Sequence, residues 1–193
     1  MNAIPSQFSK NPFPFYYGKA AEVAAALLRQ EPHSQMNYYR LLKLIYITDR
    51  VALQETGRPI VGGRLVAMQR GPLHSACLDL ISGRDSESPW WMKHFQTQGY
   101  DVVMIDDPGN SGLSKKDVDI INRVRLDHLT QDDWEVDEHT HRFPEFAANQ
   151  PQQGKVREIP FDQLLAGIGR AADQEAIEKD AKEKAVFDRV FGV

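Results

Sequence analysis

The chain has one cysteine, no long apolar run and no surplus of positive charge. Each shortage removes a class of answer. A single thiol, Cys77, cannot close an internal disulfide or supply the paired cysteines of a zinc knuckle. We read it as an inert, partly buried thiol, because no nearby motif offers an ordered base that would make it a nucleophile. No stretch approaches the roughly 20 apolar residues that cross a bilayer, and the first residues lack the basic start and apolar core of a signal peptide. A cytoplasmic protein with no membrane attachment is the resulting expectation. Twenty-three Lys and Arg against 27 Asp and Glu give a formal net charge of -4, so no general field draws the chain to nucleic acid.

Catalytic signatures are also missing. The neighbouring histidines His139 and His141 would diverge by about 200° on a helix, and no H-E-x-x-H pattern completes a zinc site. Asp106-Asp107 and Asp132-Asp133 fall in turns or helix starts, where solvent and backbone donors accommodate them. The segment HRFPEF lacks the Gly-Asn-Gly-Arg half of an adenylyltransferase loop. The residues therefore offer no catalytic, cofactor or metal site; a hydrolase built on scattered His and acidic residues is the weakest reading.

What is present is enough apolar residue, 41% of 193, to bury a sizeable core in one domain or two, with one favoured. Residues 1–14 form a proline-broken, aromatic arm. Ala20, Val23, Ala24, Leu27 and Leu28 recur at helical spacing, and Asn37 is a plausible cap for the next helix, YYRLLKLIYITDRVALQET. On that helix Tyr38, Leu41, Leu42, Ile45, Ala52 and Leu53 share an arc, and Leu44, Ile47 and Val51 widen it, which predicts a central helix. Arg40, Lys43 and Arg50 fall opposite. Asp49 projects into the apolar arc and needs a partner if buried, either the glycine-rich connection that follows or Arg50 or Arg64.

That connection reads GRPIVGGRLVAMQRGPLH. Gly57 and Gly62 have phosphate-loop spacing, but Gly63 and Arg64 stand where Lys and Ser or Thr are required, and the order is helix, strand, helix. We assign Gly57, Pro59 and Gly62 to turns, Leu65–Met68 to a short strand, and Gly71-Pro72 to a turn that starts the next helix. Trp90 and Trp91 suit either core packing or a partner. Residues 100–105 read as extended, and Ser114 caps a helix with Val118, Ile121, Val124, Arg125 and Leu129 inward. Thr130 or Asp132 opens a further helix. Phe161, Leu164, Leu165 and Ile168 make one more apolar pattern. The charged tail, 169–193, can pack on its own domain, fray, or be ordered by a second copy as a homo-oligomer.

Arg40, Lys43, Arg50, Arg58, Arg64 and Arg70 are the densest basic population. They admit a solvated face, a protein interface with an acidic surface, or nucleic-acid contact, the last least favoured because no recognition helix accompanies them.

The segment LLKLIYITDRVALQETGRPIVGGRLVAMQRGPLHS resembles the Panacea, or SocA-like, antitoxin domain. The matching residues are Leu41, Leu42, Lys43, Leu44, Tyr46, Asp49, Arg50, Gly57, Pro59, Ile60, Gly62, Gly71 and Pro72. The likeness continues through Leu113-Ser114, Thr140-His141 and IPFDQLL, so the domain is expected over 15–168. The resemblance implies a mainly α, compact helical domain with a short β-hairpin or small sheet between helices. It implies no enzyme activity and no cofactor. It implies an antitoxin that binds a cognate toxin encoded beside it, in bacteria, phages or related mobile elements, with Arg40, Lys43, Arg50, Arg64, Arg70, Trp90 and Trp91 as candidate contacts. A DNA-binding regulator and a general interaction adaptor are the alternatives.

Overall fold

A computed structural model describes residues 10–191, so the first part of the proline-rich arm, including Pro5 and Phe8, lies outside the described residues. The chain is mainly helical, with two small open sheets set between helices. In order, the elements are α1 (Tyr17–Leu28), β1 (Gln35–Asn37), α2 (Tyr38–Thr56), β2 (Leu65–Met68), β3 (Gly71–His74), α3 (Ser75–Ile81), α4 (Ser88–Trp91), β4 (Phe95–Gln98), β5 (Asp101–Met104), α5 (Lys115–Asp127), α6 (Asp133–His141), α7 (Pro144–Ala147), β6 (Arg157–Glu158), α8 (Phe161–Gly167) and α9 (Gln174–Phe191).

Helix α2 is central because its apolar residues cover more than one face: Leu41, Leu42, Leu44, Ile45, Ile47, Ala52 and Leu53 are all buried. Asn37 caps it by accepting a hydrogen bond from the Tyr39 amide, and Gly57 closes it at φ 75°. Helices α5 and α6 open on reciprocal capping boxes, Ser114 with Asp117 and Asp132 with Glu135. One sheet runs β1-β5-β4 and the other β3-β2-β6, every pairing antiparallel.

Three local expectations change. Pro72 does not begin a helix: it sits in β3 opposite Ala67, and α3 starts at Ser75. Proline is accommodated there because β3 is an edge strand with only β2 beside it. In α5 the inward set is Ile120, Ile121 and Val124, while Leu129, beyond the helix end, is exposed. Trp91 is buried in the core, its ring 4.2 Å from that of Phe95.

The arm and the glycine corner are built against each other. Asn11 donates to the Gly63 carbonyl at 2.7 Å, the Gly63 amide donates to Phe13 at 3.1 Å, and the Tyr16 amide donates to Val61 at 2.9 Å. Phe13 is buried against Phe161 of α8. A side chain at Gly62 would place its Cβ 2.3 Å from the Pro14 carbonyl, at a backbone φ of 71°. The glycine therefore answers two constraints, backbone sign and the close passage of the arm.

At the other end, α9 buries Ile177 and Ala181 and leaves Val186, Phe187 and Val190 exposed. Among the described residues no helix is long and apolar enough to cross a membrane.

Gly62→Ala is expected to destabilise the protein by well over the cost of the left-handed conformation alone, which is about 1–3 kcal/mol. Gly99→Ala, also at positive φ but with open space around its Cβ, supplies the reference. Denaturant unfolding of both variants measures the difference; equal losses would show that the arm yields freely.

Candidate functional site

Five polar positions of α2 are met by other segments of the fold. Asp49 is the deepest in consequence. Its Oδ1 accepts from the Ile60 and Val61 amides, and its Oδ2 from the Gly62 amide, all at 2.8 Å. Pro59 stands immediately before these three donors. His74 of β3 approaches the same carboxylate, with Nε2 3.4 Å from Oδ2 and Nδ1 2.9 Å from the Gly62 carbonyl. That carbonyl can only accept, so the network assigns the ring hydrogen to Nδ1. Burial raises the Asp49 carboxyl above its ordinary range, opposed by His74 and the amides, and burial lowers the His74 imidazole. Burial, with Asp49 nearby, likewise raises the Cys77 thiol and keeps it protonated.

Lys43, one turn and a half earlier, is only 1% exposed. Its ammonium donates to the Pro72 carbonyl at 3.1 Å and lies 3.7 Å from Asp137 of α6. Gly71 makes room for it, since a Cβ there would stand 2.7 Å from Lys43 Nζ and 2.9 Å from Thr140 Oγ1. Burial lowers the amine to about 8, with Asp137 acting in the opposite sense.

Arg50 and Tyr46 converge on Glu145 of α7. Arg50 Nε donates at 2.7 Å and the Tyr46 hydroxyl at 3.0 Å, both to Oε1, and Arg50 also donates to the Gly167 carbonyl at 3.0 Å. The guanidinium lies 4.2 Å from the Phe143 ring centre. Gly167 admits the second carboxylate oxygen, which a Cβ would meet at 2.2 Å. A buried pair of this kind contributes little net stability, but removing one partner leaves a stranded charge. Arg40, finally, donates to the carbonyls of Gln131 and His128, each at 2.8 Å, and lies 3.6 Å from Asp133.

The expected basic face is therefore corrected. Lys43 is interior, and Arg40 and Arg50 are held by carbonyls of the α5–α6 turn and by carbonyls and carboxylates of α6, α7 and α8, because long cationic side chains on a helix covered on several sides must find acceptors in those neighbours. Arg64 and Arg70 are exposed, Arg70 lying 4.4 Å from the Tyr39 ring centre. Trp90 is half-buried, edge-on to His94 at 5.4 Å, whereas Trp91 offers a partner nothing. The two histidines do diverge: His139 packs edge-on to His128 and Phe143, and His141 stacks on Phe146. Burial lowers the His139 imidazole, helped by His128.

Sequence reading missed His74, Asp137 and Glu145 as partners. The charges on α2 were the available signal, since each inward-facing one demands a counter-group elsewhere. Tyr46 and Arg50 lie 99 and 95 residues from Glu145, and nothing local indicates that pairing.

Taken together, these features define a small helical domain in which the inward-facing polar residues of α2 are spent on internal architecture. The family described as antitoxin SocA-like, Panacea domain, matches residues 41–146, more than half of the chain, and the protein belongs to that family. No curated protein and no solved structure matches it. The span opens within α2 and ends one residue past Glu145, so the Arg50 and Tyr46 bonds to Glu145 tie its two ends together.

Asp49→Asn is expected to lower stability by about 1.5–3 kcal/mol, the range for hydrogen bonds to a charged group, because the amide nitrogen would face a backbone donor. Urea unfolding checks this, and a loss below about 0.5 kcal/mol would remove Asp49 from the organising role. For Lys43 the sign follows from its lowered folded-state value, about 8, against 10.5 for an ordinary lysine. Between those pH values the unfolded chain binds more protons, so wild-type stability rises with pH relative to Lys43→Met. The relative gain is at most about 3 kcal/mol and is complete near pH 10.5. Denaturation of both proteins at pH 7 and at the upper limit measures it; a constant difference would mean that the amine titrates normally.

Proposed function

We propose that this protein is a cytoplasmic antitoxin that neutralises a toxin encoded by an adjacent gene through direct protein contact. Membership of the antitoxin SocA-like, Panacea family carries this reading. The way the motif is used supports it. Asp49, Lys43, Tyr46 and Arg50 are satisfied by partners inside the fold, and the thiol Cys77 is buried. A domain whose repeated polar residues build its scaffold can vary its surface without losing its shape.

The antitoxin acts by covering the toxin's active or target-binding surface. Arg64 and Arg70 remain available as contacts on that reading, and the accessible part of Trp90 adds an aromatic edge.

Induction of the neighbouring reading frame alone is expected to arrest growth. Co-expression of this protein should restore it, and affinity purification should recover the two chains together. Arrest that persists despite abundant soluble antitoxin, with no co-purification, would overturn the proposal.

A further inference from the structure

Where α5 ends and α6 begins, the surface opens into a groove of about 630 Å³ between those helices and β1. Its character is opposite to that of the basic face expected from sequence. Trp134, in the first turn of α6, is 69% exposed, and Leu129 at the groove wall and Leu126 one turn back on α5 are also exposed. Glu31, Asp132 and Asp133 bring three carboxylates to the lining, and Glu135 stands exposed one residue beyond Trp134.

The positive charges nearby are already committed. Arg40 is turned to the His128 and Gln131 carbonyls, and Arg125 donates to the Gln30 carbonyl and lies 3.4 Å from Glu31. Their side chains are 13% and 11% exposed and pair with Asp133 and Glu31, whose side chains are 54% and 23% exposed, so the carboxylates of Glu31, Asp132, Asp133 and Glu135 outnumber two shielded cations and carry the outward-facing charge. Gln131 adds a specific signal: its Oε1 is buried at the groove, with no hydrogen-bond donor among the described residues. A buried acceptor without a donor is costly unless water or a partner supplies one.

We infer that this groove is a docking surface for a cationic, partly apolar segment of a partner protein, with an arginine seated against Trp134. The chemistry is complementary at each point. A guanidinium can pair with the exposed Asp133 carboxylate through two parallel hydrogen bonds and stack on the neighbouring exposed indole. Leu126 and Leu129 meet the apolar side of the same segment. Nucleic acid would bring phosphates to carboxylates, so it is the wrong charge. The chain's own exposed helix is also a poor occupant: α9 carries five acidic residues against four basic ones.

The inference deepens the antitoxin reading by naming the chemistry of the bound segment, and rests on it only for the partner's identity. The test uses the full-length protein labelled with 15N at its three tryptophans, titrated with a short amphipathic peptide of arginine and leucine. A peptide with glutamate in place of arginine and a short DNA duplex serve as comparisons. The arginine peptide is expected to shift the Trp134 indole resonance and leave the buried Trp91 resonance in place. Trp134→Ala and Asp133→Asn are each expected to weaken its binding about tenfold or more. Lys179→Ala, on α9 and outside the groove lining, should leave it unchanged.

Absence of a Trp134 shift, equal shifts from the glutamate peptide or the duplex, or undiminished affinity in both groove variants would overturn the proposal. The neighbouring toxin separates the two readings. Full neutralisation by folded Trp134→Ala and Asp133→Asn variants rejects the groove while the antitoxin role stands. Failure of the wild-type protein to neutralise rejects that role, and the peptide titration still decides the groove.

Discussion

The structure depends on one buried carboxylate. Asp49 gathers the amides of Ile60, Val61 and Gly62, and through them fixes where the chain goes after its central helix. Three backbone donors facing one side chain form a connection that needs no regular secondary structure, because the carboxylate replaces the missing backbone acceptors. With that corner held, the arm can cross Gly62 and Gly63, β2 and β3 can form the hairpin beyond, and His74 returns to the same carboxylate.

The other charges of α2 repeat the device at longer range. Lys43 anchors the β3 turn and α6, Arg50 and Tyr46 anchor α7, and Arg40 binds the turn between α5 and α6. Each cation or hydroxyl meets either carbonyls that have no helical partner or a carboxylate that burial would otherwise strand. A helix whose apolar residues are ordinary leucines and isoleucines thus acquires directional contacts, which distinguish one arrangement of the surrounding helices from others that would bury similar area. The arrangement also separates two tasks. Motif residues hold the scaffold, and the exposed side chains take no part in it.

Much of the local structure was legible from residue order. Asn37, Gly57, Ser114 and Asp132 mark helix ends by short-range chemistry, and the apolar spacing around Ile45 and Leu53 identified a helix covered on several sides. Pro72 misled, because proline is equally suited to a first helical turn and to an edge strand, and only the pairing of β3 with β2 decides between them. Lys43 misled for a related reason. Helical projection assigns an angle to a side chain but does not say whether another helix will occupy that side, and α6 does, with Asp137 waiting.

The sequence by itself determined the helical class, the caps, the central place of α2, and the need of Asp49 for a partner, since each follows from interactions within a few residues or from one helical period. Tertiary structure decided what those polar residues are for. His74, Asp137 and Glu145 become partners only when segments 25, 94 and 95 residues away are folded onto Asp49, Lys43 and Arg50. The same folding turned Arg40, Lys43 and Arg50 of α2 inward and left Arg64 and Arg70, with carboxylates and Trp134 elsewhere, at the surface. Burial, not residue type, decides whether a charge holds the fold or meets the solvent.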